Sequence, residues 1–310
     1  MSGASSLQFN LQSQADFRRI STELTRLQGQ VASGAKATDL QSYGGVSGIV
    51  LSAQSQKANA DARASMLSEL QSRFGIQSAA LSQVSDSSTN LSQSIREAIS
   101  ANDGRGINTD LDLSFATIVS ALNETWQGQP MFAGERQNGK PVKITTLQQL
   151  QAATGPSDIF DEATRNQTID VGNGQPITLA PKASQMSQGL FDTLKDLKNL
   201  MDAAGGTIGQ PMTDAQRASL QNIADRLDAQ ANSFTNEEGR TGQIQARLDA
   251  EQTRLSNRSD LLKKEIGDHK DADIGEVSMQ INALLVQYQA AAKTFSNLSQ
   301  LSLLNFLPTG

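Results

Sequence analysis

From Asp273 to Leu304 the apolar positions are Ile274, Val277, Ile281, Leu284, Tyr288, Ala291, Phe295 and Leu298, three and four residues apart in alternation. That spacing draws one apolar stripe along a helix, and such a helix needs a partner to cover it. Leu285 flanks the stripe, while Met279 and Val286 fall on the opposite side. At the other end of the chain Phe17, Ile20, Leu24, Leu27 and Val31 repeat the alternation. The two ends are therefore expected to pair with each other and with further copies of the chain.

Between the ends the same period recurs. Val46, Ile49, Ala53, Ala60, Leu67, Leu70, Phe74, Leu81, Val84, Leu91, Ile95 and Ala98 hold heptad phase, which predicts a helix over about 46–100. At 1.5 Å per residue it would be a rod of roughly 80 Å. Gln56, Arg63, Gln77 and Ser88 sit on its seam as polar residues expected to set register. A third helix is predicted from about Thr109 to Gln127, with Trp126 at its end, and a fourth from Gln185 to Ala204, stopped by Gly205-Gly206. Leu220, Leu227, Phe234, Thr241, Leu248, Leu255 and Leu262, seven apart, predict another long helix from Asp214 to about Ile266. Gly239 and Gly242 inside it suggest a close helix crossing or a bend. Gly34 reads as the stop of the first helix, and Ser33–Gly48 as an elbow. Gly267–Ala272 reads as a polar joint, and Asp273 with Glu276 as a capping box for the last helix. From Val142 to Lys182 the period changes: Thr146–Ala153 predicts a short helix, and two alternating runs around Asn173-Gly174 predict a hairpin.

The pattern describes a mainly α chain, an elongated antiparallel helical bundle with a small inserted α+β domain. Its expected parts are a terminal coiled coil, 1–42 with 268–310, then a bundle, 43–134 with 183–267, and an outer insert, 135–182. Composition agrees: of 310 residues 37% are hydrophobic and only 4% aromatic, too few bulky side chains for a compact enzyme core but enough for thin helical seams. A net charge of −6 and the lack of basic, aromatic-rich stretches speak against a general nucleic-acid binder. Without cysteine there is no disulfide framework, thiol nucleophile or Fe–S site. Met1–Asn10 has neither the basic nor the apolar region of a secretory signal, and no apolar run reaches the length of a membrane span. Export, if it occurs, is expected by a route without a cleaved signal.

Candidate chemistry is sparse. His269 is the sole histidine and has Asp268, Asp271 and Asp273 nearby; the donors would allow a metal site, but carboxylates at an elbow usually face water and the expected reading is a solvated joint. Asp158, Asp161 and Glu162 are the carboxylates that a glycan-acting insert would use, but the insert is short for a substrate cleft. Gly44-Gly45 with Gly48 lacks the preceding strand of a dinucleotide fingerprint. Met131-Phe132 fits either an exposed contact or a buried cap on the bundle. No catalytic residue, cofactor or metal is assigned.

Leu24 to Lys36 is a helix ending in a Gln-x-x-Ser-Gly-x-Lys turn, Glu238 to Leu248 is a glycine-containing helical stretch, and the chain closes on Leu301-Ser-Leu-Leu-Asn-Phe-Leu307. Together these resemble the first helix, the glycine-containing stretch and the Ser-Leu-Leu ending of the flagellin superfamily. Met131-Phe-Ala-Gly-Glu135 with Pro141-Val142 resembles the hook–filament junction branch of the superfamily. Tyr43–Gly48 lacks the acidic elbow common in filament flagellins, which remain the alternative, as a main or minor filament subunit. The likeness spans roughly 7–134 and 185–307. It implies an extracellular structural subunit of the bacterial flagellum, exported unfolded by the flagellar type III pathway, with terminal helices that order on assembly. The implied partners are other copies of itself, the first hook-associated protein, flagellin, and an export chaperone on the C-terminal helix. Leu301 and Leu304 join the two stripes in the implied assembly interface.

Overall fold

The computed structural model describes residues 2–37, 39, 41–171 and 176–304; the side chains of 2–10, 41, 42, 295 and 297–304 lie outside what it describes. The order is α1 Ser2–Ser33, a 3-10 turn at Gln41–Val46, α2 Ser47–Ala101, α3 Ile107–Leu122, and β1 Thr125–Trp126 with β2 Gln129–Pro130. Then come α4 Leu147–Ala152, α5 Pro156–Ile159, β3 Thr168–Asp170, β4 Pro176–Thr178, α6 Ala183–Ala203, α7 Asp214–Lys270 and α8 Ile274–Leu304. The chain divides into two compact units, 1–61 with 256–310 and 62–255. The sequence placed its breaks at 42/43 and 267/268; the observed divisions fall inside α2 and α7, so neither helix is confined to one unit.

Unit 62–255 holds the main core. Its α6 is amphipathic, with Leu190, Phe191, Leu194, Leu197 and Met201 all buried. The Phe191 ring stands edge-on to Phe115 of α3 at 6.3 Å and to Phe160 at 5.6 Å. Val142, Ile144, Leu147, Leu150, Ile159 and Phe160 belong to the same cluster as the helical residues. The stretch 135–182 is thus built onto the bundle core, which supplies the apolar surface that so few residues lack on their own.

Between α2 and α7 the contact is a seam of Leu67, Phe74, Leu81, Val84, Leu91 and Ile95 against Leu220, Leu227, Phe234 and Leu248, all buried. Of the polar residues expected on it, Gln77 is paired across the seam, while Ser88 Oγ turns back to Val84 O of its own helix at 2.8 Å; two neighbouring serines also cross. Gln77 Nε2 donates to Thr241 Oγ1 at 3.2 Å, Ser85 Oγ to Ala231 O at 3.0 Å, and Ser92 Oγ to Ala224 O at 3.0 Å. Arg63 reaches Val171 O at 2.9 Å, and the buried Arg73 reaches Gln167 Oε1 at 2.8 Å. The Gln77, Ser85 and Ser92 bonds hold only in one alignment of α2 and α7, so they set its register, whereas the two arginines tie α2 to the stretch 167–171.

Three local expectations change. The third helix stops at Leu122, and Thr125–Trp126 pairs with Gln129–Pro130 across a tight turn. Both turn residues are left-handed, Gln127 at φ 50° and Gly128 at φ 79°, which is what a two-residue hairpin requires. In α7 the helix runs past Ile266 through His269 to Lys270, so the joint begins at Asp271. No close crossing explains Gly239 and Gly242, because a Cβ at either would meet nothing within 4 Å. The hairpin β3–β4 pairs in the expected place, with Ile169 opposite Ile177, while its Asn173-Gly174 turn lies outside the described residues. Met131 and Phe132 are buried and cap the core.

Candidate assembly surface

The unit formed by 1–61 and 256–310 is organised by one turn. Gly34 takes φ 68° and its N–H bonds to Gln30 O at 2.8 Å, closing α1 with a left-handed residue. Gln30 Nε2 donates to Lys36 O at 2.6 Å. The chain beyond is then clamped to the α7–α8 joint: Lys36 N to Lys270 O at 2.7 Å, Ala272 N to Gly34 O at 2.9 Å, and Lys36 Nζ to Asp268 O at 2.7 Å. Asp273 Oδ1 accepts from Gly275 N and Glu276 N at 2.9 and 3.1 Å, starting α8 beside the end of α1. The two helices therefore run antiparallel and pack on each other, as their stripes predicted.

Within that pair Ile20, Leu27 and Val277 are buried, and Phe17, Leu24, Ile281 and Leu284 are half-buried. The Phe17 ring meets Tyr288 edge-on at 5.3 Å. Val31, Ile274 and Tyr288 remain exposed. The side chains of Phe295, Leu298, Leu301 and Leu304 lie outside the described residues. One pair of helices thus covers only part of its own stripe.

The remainder of the unit carries further exposed apolar surface. Leu11, Ile49, Leu51, Leu261, Met279, Leu285 and Val286 are exposed along with Val31, Ile274 and Tyr288. Ten of the eleven exposed large apolar side chains among the described residues lie in this unit. Large exposed apolar patches are characteristic of interaction surfaces. Part of this surface was visible in the sequence as apolar residues out of phase. The expected seam residue Ile49 is exposed while Val50, one position on, is buried.

The chemical alternatives are absorbed by structure. Asp158 accepts from Thr154 N and Oγ1, both at 2.8 Å, and those bonds hold its pKa below the usual carboxylate range. Asp161 is paired with Arg136, and Glu162 with Ser184 and Lys182. Among the described residues no group of three His, Cys, Asp or Glu is placed to hold a metal ion, the surroundings of His269 included. None of the described helices is long and apolar enough to cross a membrane.

Residues 212–307 match the bacterial flagellin C-terminal helical region, and this match includes all of α7 and α8. That match covers just under a third of the chain. Among solved structures, the model is similar to Bacillus cereus FlgL at 14% identity and TM-score 0.51, over 65% of this chain and 98% of that one. It is also similar to a flagellar hook-associated protein from Vibrio parahaemolyticus at 16% identity and TM-score 0.56, over 72% and 96%. At such identities the likeness is one of fold, and it supports the mainly α architecture with a small strand-containing part that the heptads predict. No curated protein matches the sequence.

Proposed function

We propose that this flagellin-type chain is a structural subunit of the bacterial flagellum at the hook–filament junction. The observation that carries the reading is the uncovered apolar surface of α1, α8 and their neighbours. It sits on a chain whose C-terminal region matches flagellin and whose fold is shared with FlgL and a hook-associated protein. A tube of such subunits surrounds each terminal helix pair with others and covers what a single chain leaves in water. In this role the chain joins the first hook-associated protein to flagellin and adapts the hook's mechanics to the filament. It does so without catalysis. Phe17, Ile20, Leu24, Leu27, Val31, Ile274, Val277, Ile281, Leu284, Tyr288, Phe295, Leu298, Leu301 and Leu304 form its assembly interface. Export by the flagellar type III route, with a chaperone holding the C-terminal helix, brings it to the cell exterior.

Deleting the gene in the source bacterium tests this against a filament-subunit role. The expected result, by electron microscopy and assay of the medium, is bare hooks with flagellin shed as monomer. Filaments that stay attached to hooks would instead assign the chain to the filament as a minor flagellin.

A further inference from the structure

Residues 135–140 are all exposed, on the stretch that leaves the core after the buried Met131 and Phe132. The stretch is fastened at both ends. Glu135 N donates to Arg165 O at 3.0 Å, and Asp161 N donates to Pro141 O at 2.9 Å. Arg136 is ion-paired with Asp161. Between these ties stand Asn138 and Gly139. Neither the Asn138 carboxamide nor the Gly139 N–H makes a hydrogen bond among the described residues. Gly139 takes φ 97° and has no Cβ to crowd its nitrogen.

That arrangement leaves a nucleophile and an electrophile side by side. The Gly139 nitrogen and the Asn138 side-chain carbonyl carbon need one bond to close a five-membered ring. Other asparagines are held away from such a reaction by their hydrogen bonds. Asn123 donates to Val142 O and accepts from Val142 N, both at 2.9 Å. Asn102 Oδ1 accepts from Met212 N and from Arg217 Nη1, both at 3.0 Å. The other Asn-Gly of the sequence, Asn173-Gly174, lies outside the described residues.

We propose that Asn138 is a self-modification site, which converts through an intramolecular succinimide to aspartate and isoaspartate. Gly139 N attacks Asn138 Cγ and forms the new C–N bond. The bond from Cγ to the carboxamide nitrogen breaks, and that nitrogen leaves as ammonia with the proton that Gly139 gives up. Water then adds to one or other ring carbonyl. Opening at one gives aspartate; opening at the other gives isoaspartate, with an extra methylene in the main chain. Nothing is oxidised or reduced. Arg136 and Lys140 flank the pair with positive charge, which favours the anion that develops as Gly139 loses its proton. The product places a new carboxylate near the Arg136–Asp161 pair, and isoaspartate lengthens the run between the two anchored ends. The modification therefore records the age of the chain.

The purified full-length chain tests this in warm, mildly alkaline buffer, beside a sample kept in urea, with both digested and read by mass spectrometry. The peptide that spans Asn138 should gain the mass difference between water and ammonia and separate into two forms. One of them should accept a methyl group from S-adenosylmethionine with an isoaspartyl methyltransferase. Opening so exposed a segment costs close to nothing, so the folded rate should lie within about threefold of the rate in urea. Peptides carrying Asn102 and Asn123 should stay unchanged in the folded sample, and Asn138→Gln should remove the change at its own position. Conversion in urea but not in the folded chain overturns the proposal. So does conversion in neither, or conversion of Asn102 and Asn123 as fast as that of Asn138. The measurement reads chemistry within one chain, so its outcome and that of the gene deletion are independent.

Discussion

At the scale of single residues, backbone conformation separates glycines that the isolated chain needs from those it does not. Gly134 has φ 65°, and a Cβ there would lie 2.2 Å from Arg165 O, whose partner is Glu135 N at 3.0 Å. Gly134→Ala is expected to lower the urea midpoint by the equivalent of about 2 kcal/mol or more, since strain and backbone collision add. Gly239→Ala and Gly242→Ala should each raise stability by about 1 kcal/mol, because both sit inside α7 with open space around them. Asp103 adds a pH-dependent contribution. Hydrogen bonds from the Arg105 guanidinium and backbone N–H lower its pKa to about 2. The folded value lies below the unfolded one of about 3.9, so this stability is complete above roughly pH 4. It is lost as pH falls toward 2. The stability difference between the parent chain and Asp103→Asn, measured by urea unfolding across pH, should be flat near neutrality and vanish between pH 4 and 2.

At the scale of elements, what the chain's pattern announces and what it hides have physical causes. The long helices were legible because each must bury a stripe over many turns, so that the heptad repeats until it cannot be mistaken. Leu220 to Leu262 on α7 is buried at every expected position, Thr241 included, since that hydroxyl meets Gln77. The β1–β2 hairpin was not legible, because two-residue strands carry no period and Gln127-Gly128 is a weaker turn signal than Asn-Gly. The slip from Ile49 to Val50 shows the limit of phase near a helix start, since Ala53, Ala60 and Leu67 further along α2 are buried as expected. In the candidate surface the α1 and α8 stripes were legible, but the exposed Leu11, Leu51 and Leu261 were not. Periodicity reports what a helix buries against its nearest partner and is silent on a second one. The proposed interface is tested at Leu284, half-buried in the middle of α8. Leu284→Asp should abolish incorporation into flagella while leaving the urea transition of the 62–255 core unchanged, since a carboxylate there cannot be covered without a partner. Normal incorporation of that variant would remove α8 from the interface.

At the scale of the whole molecule, the two units differ in how much of their stability is internal. Among described residues the unit of 1–61 and 256–310 buries Ile20, Leu27, Ala35, Val50, Ala53, Ala60, Leu262 and Val277, three of them alanines. The other unit buries a continuous cluster running from Ala80 to Phe234, with Phe115, Phe132, Phe160 and Phe191 within it. Isolated helices gain little from propensity, so α1 and α8 depend on the area that their seam covers, and that seam is thin. Opening them costs correspondingly less than opening the phenylalanine-rich core. Hydrogen exchange should therefore find the amides of α1 and α8 exchanging through local opening in the isolated chain, orders of magnitude faster than those of α6. In the proposed assembly, where neighbours would cover Met279, Val286 and Tyr288, the same amides should become as protected as the core. This order of events suits a subunit that must not polymerise before it reaches its site, because the entropy of ordering is offset only by contacts present in the assembly. Amides of α1 and α8 already as slow as those of α6 in the isolated chain would show a terminal pair complete in itself, with nothing left for assembly to order.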